Sequence, residues 1–419
     1  MSKLHRRRFL QNGLLAAGGV ITARYAFGAQ AQTDARLVCI LLRGALDGLA
    51  AVPPYGDADY AKLRRELAIA APGAENGALK LDGMFGLNPG LKFLHESYQA
   101  RELLVLHAAA SPYRDRSHFD GQDALENGTP VAHALSTGWL NRSLAAMPAG
   151  GQRGRESGVA LGQNLPLMMR GPAPVASWSP STMPDLDEDT LQRIADRYSS
   201  DPLLGARLAD ALANQQMADA GTAEAAAAGA AAAGAAPQMT QAQGARPRAA
   251  YTETVRMAAT FLKRPDGPAV AMFDTTGWDT HANEGGAVGQ LTTRLTALDQ
   301  ALRTMKDSLG PVWSRTAVII VTEFGRTAAA NGTRGTDHGT GAAAFVLGGA
   351  VAGGRVISDW PGLSNAALYQ GRDLKPTTDL RTVFKGVLHD HMQLSTAALD
   401  RDVFPDSAHV KAMGGLLRG

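Results

Sequence analysis

The chain has 419 residues with 41 Lys or Arg against 39 Asp or Glu, a length that allows one large α/β domain with a cap. Five of the basic residues and no acidic one fall within the first 31, leaving 36 basic against 39 acidic residues and no surplus that would draw the remainder to nucleic acid. The single cysteine, Cys39, excludes an intrachain disulfide and sits in an apolar run, where it reads as inert core packing.

Residues 1–31 read as a targeting segment. Arg6-Arg7-Arg8-Phe9-Leu10 fits the twin-arginine pattern, Gly13–Ala23 is uncharged and too short to span a bilayer, and Ala29-Gln30-Ala31 is a small-x-small cleavage site. The expectation is a protein that is periplasmic or otherwise exported, meets the twin-arginine translocation machinery and is not integral to the membrane. Leu37–Leu42 is the first expected strand, with Asp47 at its carboxyl tip. Asn88-Pro89 is expected to open a helix reaching Ala100, with Asn as cap and Pro at the first helical position, followed by a strand at Leu103–His107. Strand and helix alternate in this way along the chain, which predicts a mostly parallel central sheet with helices on both faces.

Ser117, with Asp120 three residues on, resembles a capping box at the start of a helix, a place that favours nearby anions. Ser117 there is either a cap or a nucleophile. Residues 185–250 turn to helix formers and then to Ala/Gly repetition, read as a helical cap with a mobile loop over 219–247. A helix near 251–263 and a strand at Ala269–Asp274 come next, leading into Asp279 and His281. Leu291, Leu295, Leu298, Leu302, Met305 and Leu309 then repeat with a helical period and predict one buried stripe against the sheet. The unbroken apolar run 317–321 reads as a central strand buried on both faces, and Glu323, Arg326, Asp337 and His338 follow at its carboxyl end, where open α/β sheets place ligands. A strand near 342–347 and a helix around Leu380–His389 complete the chain; His389 and His391 read as surface or interface residues.

Asp47, Asp279, His281, Glu323 and His338 share one placement, in glycine-flanked loops past apolar strands. Their oxygen and nitrogen donors suit Zn, Mn, Mg or Ca. The plainer alternative has the carboxylates capping helices and pairing with Arg43 and Arg326.

The motifs Leu42-Arg-Gly-Ala-Leu-Asp-Gly48, Ser117-His-Phe-Asp120, Gly277-Trp-Asp-Thr-His281, Thr322-Glu-Phe-Gly-Arg-Thr327 and Asp337-His-Gly339 make the mature chain resemble the domain of unknown function 1501 family of exported bacterial proteins. That family in turn looks like a distant branch of the alkaline phosphatase and sulfatase superfamily. The resemblance implies an alkaline phosphatase-like fold, metal at Asp47, Asp279, His281, Glu323 and His338, Ser117 as nucleophile, and Arg43 or Arg326 on the anion of a small phosphate or sulfate ester. Two features depart from the superfamily: Asp279 and His281 are two residues apart instead of four, and Phe324 stands in place of a histidine. The alternative function is a non-catalytic periplasmic protein that keeps the fold for binding or for assembling a partner complex.

Overall fold

The computed structural model describes residues 34–147, 157–179 and 246–418, with a few isolated positions between 193 and 208. The expected signal segment and nearly all of the expected cap and Ala/Gly loop lie outside the described residues. The strands are β1 (Arg36–Leu42), β2 (Leu79–Lys80), β3 (Gly86–Leu87), β4 (Leu103–Ala110), β5 (Gly158–Leu161), β6 (Val175–Trp178), β7 (Val270–Thr275), β8 (Thr316–Val321), β9 (Ala342–Leu347), β10 (Arg355–Ile357) and β11 (Thr378–Asp379). The helices that matter here are α1 (Gly48–Ala51), α2 (Tyr60–Arg64), α3 (Lys92–Gln99), α4 (His118–Asn127), α5 (Trp139–Ala146), α6 (Arg246–Lys263), α7 (Gln290–Leu309) and α8 (Leu380–Asp390).

One sheet runs in the order β10-β4-β9-β8-β1-β7-β5-β6, with β11 also on β4, while β2 and β3 form a separate hairpin. Every residue of β1 and β8 is buried, as unbroken apolar runs demand of central strands. β1 lies parallel to both β8 and β7, so the loops that leave these three strands emerge at one edge. The pleat divides β1 between two cores: Val38, Ile40 and Leu42 pack with the apolar stripes of α6 and α7, while Leu37, Cys39 and Leu41 pack on the opposite side with α5 and α8. Helices therefore cover both faces. The six residues of the α7 stripe are all buried, each stabilising the fold by about 1.5–3 kcal/mol relative to exposure. Burial also pushes the Cys39 thiol up and keeps it inert.

The sheet is mostly parallel, as expected, and β9, antiparallel to both β4 and β8, makes it mixed. Several local expectations are corrected. α3 begins at Lys92, not at Asn88-Pro89; Asn88 instead closes a turn onto Gly90 and reaches Ala50 and Thr292. The start of α3 is served from another helix, since the Asp299 carboxylate of α7 accepts the Phe93 and Leu94 amides at 2.9 Å each. α6 starts at Arg246, inside the segment read as loop. His391 is buried and bonds the Arg36 carbonyl through Nε2 at 2.9 Å, which removes it from the surface. No helix among the described residues is long and apolar enough to cross a membrane.

Candidate metal centre

Four loops at the carboxyl edge of the sheet supply the site. The β1 loop brings Gly44, the β7 loop Asp279 and His281, the β8 loop Glu323 and Arg326 with His338 beyond them, and the segment after β4 brings His118 as the first residue of α4. Two glycines permit the approach: a Cβ on Gly44, at φ +118°, would stand 2.7 Å from the Asp279 amide nitrogen, and one on Gly335 would stand 2.4 Å from the His281 carbonyl carbon.

His118, Asp279 and His338 each offer a ligand atom within 4.8 Å of the others. His118 Nε2 lies 3.0 Å from His338 Nε2 and 3.4 Å from Asp279 Oδ2; His338 Nε2 lies 3.3 Å from Asp279 Oδ1. His281 Nε2 adds a fourth donor, 3.0 Å from both His338 Nε2 and Asp279 Oδ1. The opposite nitrogen of each ring is tied down by an acceptor. His118 Nδ1 donates to Glu323 Oε1 at 2.8 Å, His338 Nδ1 to the Arg116 carbonyl at 3.0 Å, and His281 Nδ1 to Asp337 Oδ1 at 3.3 Å. A neutral ring whose Nδ1 carries the proton has only a lone pair at Nε2. Three lone pairs therefore converge on one another and on a carboxylate, an arrangement that needs a proton or a cation between them. Tetrahedral zinc with bonds of about 2.0–2.1 Å spaces its ligands roughly 3.3 Å apart, close to the separations here.

The surroundings hold these rings in place. The Glu323 carboxylate is fully buried; its Oε1 also accepts the Gly44 amide at 2.8 Å and Gln122 Nε2 at 2.9 Å. Burial alone would raise its pKa, but His118 and Gln122 hold it below the usual carboxylate range. The same Glu323 contact raises His118, against the effect of burial, with Asp279 adding to it. His338 is lowered by burial and by the neighbouring His118, so it prefers to be neutral and able to ligate. Burial likewise works to raise Asp279, and Arg326 overrides it through an ion pair, keeping the carboxylate ionised. Phe324 stacks under His118, ring centroids 5.0 Å apart and planes 27° apart, which fixes the imidazole's tilt. Arg116, whose carbonyl anchors His338, holds a left-handed φ of 63° and is pinned by Asp373 at 2.7 Å.

The residues singled out in the sequence are thus placed unequally. Asp279, His281 and His338 come together, and Glu323 stands one layer out, behind His118. Asp47 caps α1 through the Ala50 amide at 3.0 Å and pairs with Arg64 of α2, within a buried network that continues through Glu284 to Thr280 and Thr336. Arg43 is engaged by Asp274, Glu126 and Gln122, and Arg326 by Asp279 and Thr336. Ser117 occupies the N-cap position of α4, yet its side chain makes no cap bond, and Asp120 pairs with His133 at 3.1 Å; the capping box is not formed. Sequence reasoning passed over His118 and placed Asp337 at the ligand end of the central strand without giving it a part in the site, although both lie in quoted motifs. The signal for His118 was an imidazole directly after the cap of a helix that follows a buried strand.

A search among curated proteins finds no significant match to this chain. The family model described as protein of unknown function (DUF1501) matches residues 103–405, a span that contains His118, Asp279, His281, Glu323 and His338. The chain therefore belongs to the DUF1501 family.

Proposed function

We propose that the chain is an exported metal-dependent hydrolase of phosphate or sulfate esters, with an alkaline phosphatase-like fold and its reaction centre at His118, Asp279, His281 and His338. The observation that carries the proposal is the convergence of three imidazole Nε2 atoms on Asp279, each ring anchored at Nδ1 by a carboxylate or a backbone carbonyl. Outer partners of this kind fix the tautomer of metal-ligating histidines and raise their basicity. A set rich in imidazole favours zinc over magnesium or calcium. When bound, such an ion supplies a Lewis acid against the ester oxygens and lowers the pKa of a hydroxyl beside it.

The chain's own residues divide the remaining work. Glu323 and Asp337 orient His118 and His281, and Arg326 holds Asp279 as the anion. Ser117, half-buried beside His118 and free of any cap bond, is the nucleophile: its Oγ forms the bond to phosphorus or sulfur as the alcohol departs, and water then cleaves the seryl ester. Arg43 and Arg326 are already paired with carboxylates, so among the chain's own groups the charge of the ester falls to the first-turn amides of α4.

Ser117→Asn tests the nucleophile, because asparagine suits the cap position but forms no phosphoryl or sulfuryl ester. The expected result is wild-type folding and metal content with aryl phosphate or aryl sulfate hydrolysis reduced by at least about a hundredfold, on the order of 3 kcal/mol of barrier. Retained hydrolysis in this variant assigns the attack to water and returns Ser117 to a structural place.

A further inference from the structure

Beside the metal centre lies a second feature that the hydrolase reading does not use. The face of α4 formed by Phe119, Gln122, Asp123 and Glu126 is one wall of a cleft of about 550 Å³; the loop after β5, with Gln163, Asn164 and Arg170, is another, and Arg43 and Asp274 form its floor. These four α4 positions share a helix face by their spacing, and the face starts one residue past His118. Gln122 joins the cleft to the centre, since its Nε2 donates to Glu323 and its Oε1 accepts from Arg43 at 2.8 Å. Volumes of roughly 300–1,000 Å³ are typical of small-molecule sites.

The chemistry of the walls narrows the ligand. Phe119 is 85 % exposed, the most exposed large apolar side chain among the described residues, and it stands at the lip of the cleft. An aromatic face of this kind offers a platform for the C–H edge of a ring. Leu165, Pro166 and Leu167 add apolar surface to the lining, and the remaining groups are planar donors and acceptors, with Arg43 fixed in place by Gln122, Glu126 and Asp274. Asp123, Glu126 and Asp274 outnumber Arg43 and Arg170, so a second anionic group is repelled. A neutral ligand bearing many hydroxyls and one apolar ring face satisfies all of these conditions. We infer that the cleft binds a sugar ring and that, resting on the hydrolase reading, the alcohol half of the ester is a carbohydrate, its phosphate or sulfate carried to the metal centre while the ring stacks on Phe119.

Two measurements separate this inference from the activity it rests on. Saturation-transfer NMR with neutral methyl pyranosides (glucoside, galactoside, mannoside and N-acetylglucosaminide) needs no turnover. Transfer from the wild type to the ring protons of at least one pyranoside is expected, with binding about tenfold weaker in Phe119→Ala and Phe119→Leu and restored in Phe119→Tyr. Because Phe119 is exposed, these variants fold. The ratio of kcat/KM for hexose 6-phosphates and 6-sulfates over ethyl phosphate and ethyl sulfate is then expected to exceed ten in the wild type and to approach one in Phe119→Ala. No transfer to any pyranoside, or transfer unchanged in Phe119→Ala, overturns the sugar site. Binding that behaves as expected, with no ester hydrolysed, leaves the cleft in place and overturns the hydrolase reading instead.

Discussion

Replacing Glu323 by Gln separates a residue that orients a ligand from one that is a ligand. The carboxylate is fully buried; Oε1 accepts from His118 Nδ1 and the Gly44 amide at 2.8 Å and from Gln122 at 2.9 Å, while Oε2 lies 2.9 Å from Thr322 Oγ1. A glutamine oxygen can take the Oε1 place, with its NH2 group donating to Thr322 Oγ1 and the threonine proton passing to the Leu42 carbonyl at 2.7 Å. Shape and hydrogen bonds are kept, so the change removes chiefly the negative charge behind the His118 ring. Outer partners of this kind contribute about 10–100-fold to metal affinity, or about 1.4–2.8 kcal/mol. Competition titration of zinc against a chromogenic chelator is the assay, run on wild type, Glu323→Gln and His118→Ala. Glu323→Gln is expected between the other two, weaker than wild type by that factor. Affinity equal to wild type refutes the reasoning from charge, and affinity as low as that of His118→Ala makes Glu323 itself a ligand.

Two further outcomes bear on the buried network and on export. Burial and the neighbouring Asp47 push the Glu284 carboxyl up, so the folded chain keeps a proton that the unfolded chain releases near the ordinary value of 4.5. Stability is then fully present below about 4.5 and lost as pH rises toward the folded pKa; Glu284→Gln should flatten this slope, gaining in melting temperature over wild type as pH rises from 4.5 to 8, and a gap that does not change with pH contradicts it. Changing Arg6 and Arg7 together to Lys should hold the precursor in the cytoplasm, because the translocation receptor reads the guanidinium pair as an address. A cleaved, periplasmic double variant sinks the export assignment.

The central strands, the α7 stripe and the clustering of Asp279, His281 and His338 were legible because burial on both faces and helical period leave direct traces in sequence. The direction of β9 was not, since its run Ala-Ala-Ala-Phe-Val-Leu reads the same in either orientation. Asp47 was misleading for a related reason: a carboxylate at a strand tip looks alike whether a metal or a distant guanidinium awaits it, and Arg64 sits seventeen residues on with nothing local to announce the pair. His118 was hidden by its neighbour Ser117, whose cap position drew the functional reading. Only the tertiary arrangement shows that Glu323 backs His118 across 205 residues of chain.

Metal content is the most direct test of the centre. Protein purified without chelator should carry about one equivalent of a divalent metal per chain, zinc by the imidazole-rich donor set, as measured by inductively coupled plasma mass spectrometry. His118→Ala and His338→Ala should each lose most of it and melt lower, because metal that binds only the folded state stabilises it, by about 2.7 kcal/mol at a hundred times the Kd. A metal-free wild type, or full metal in both variants, contradicts a metal centre at these residues.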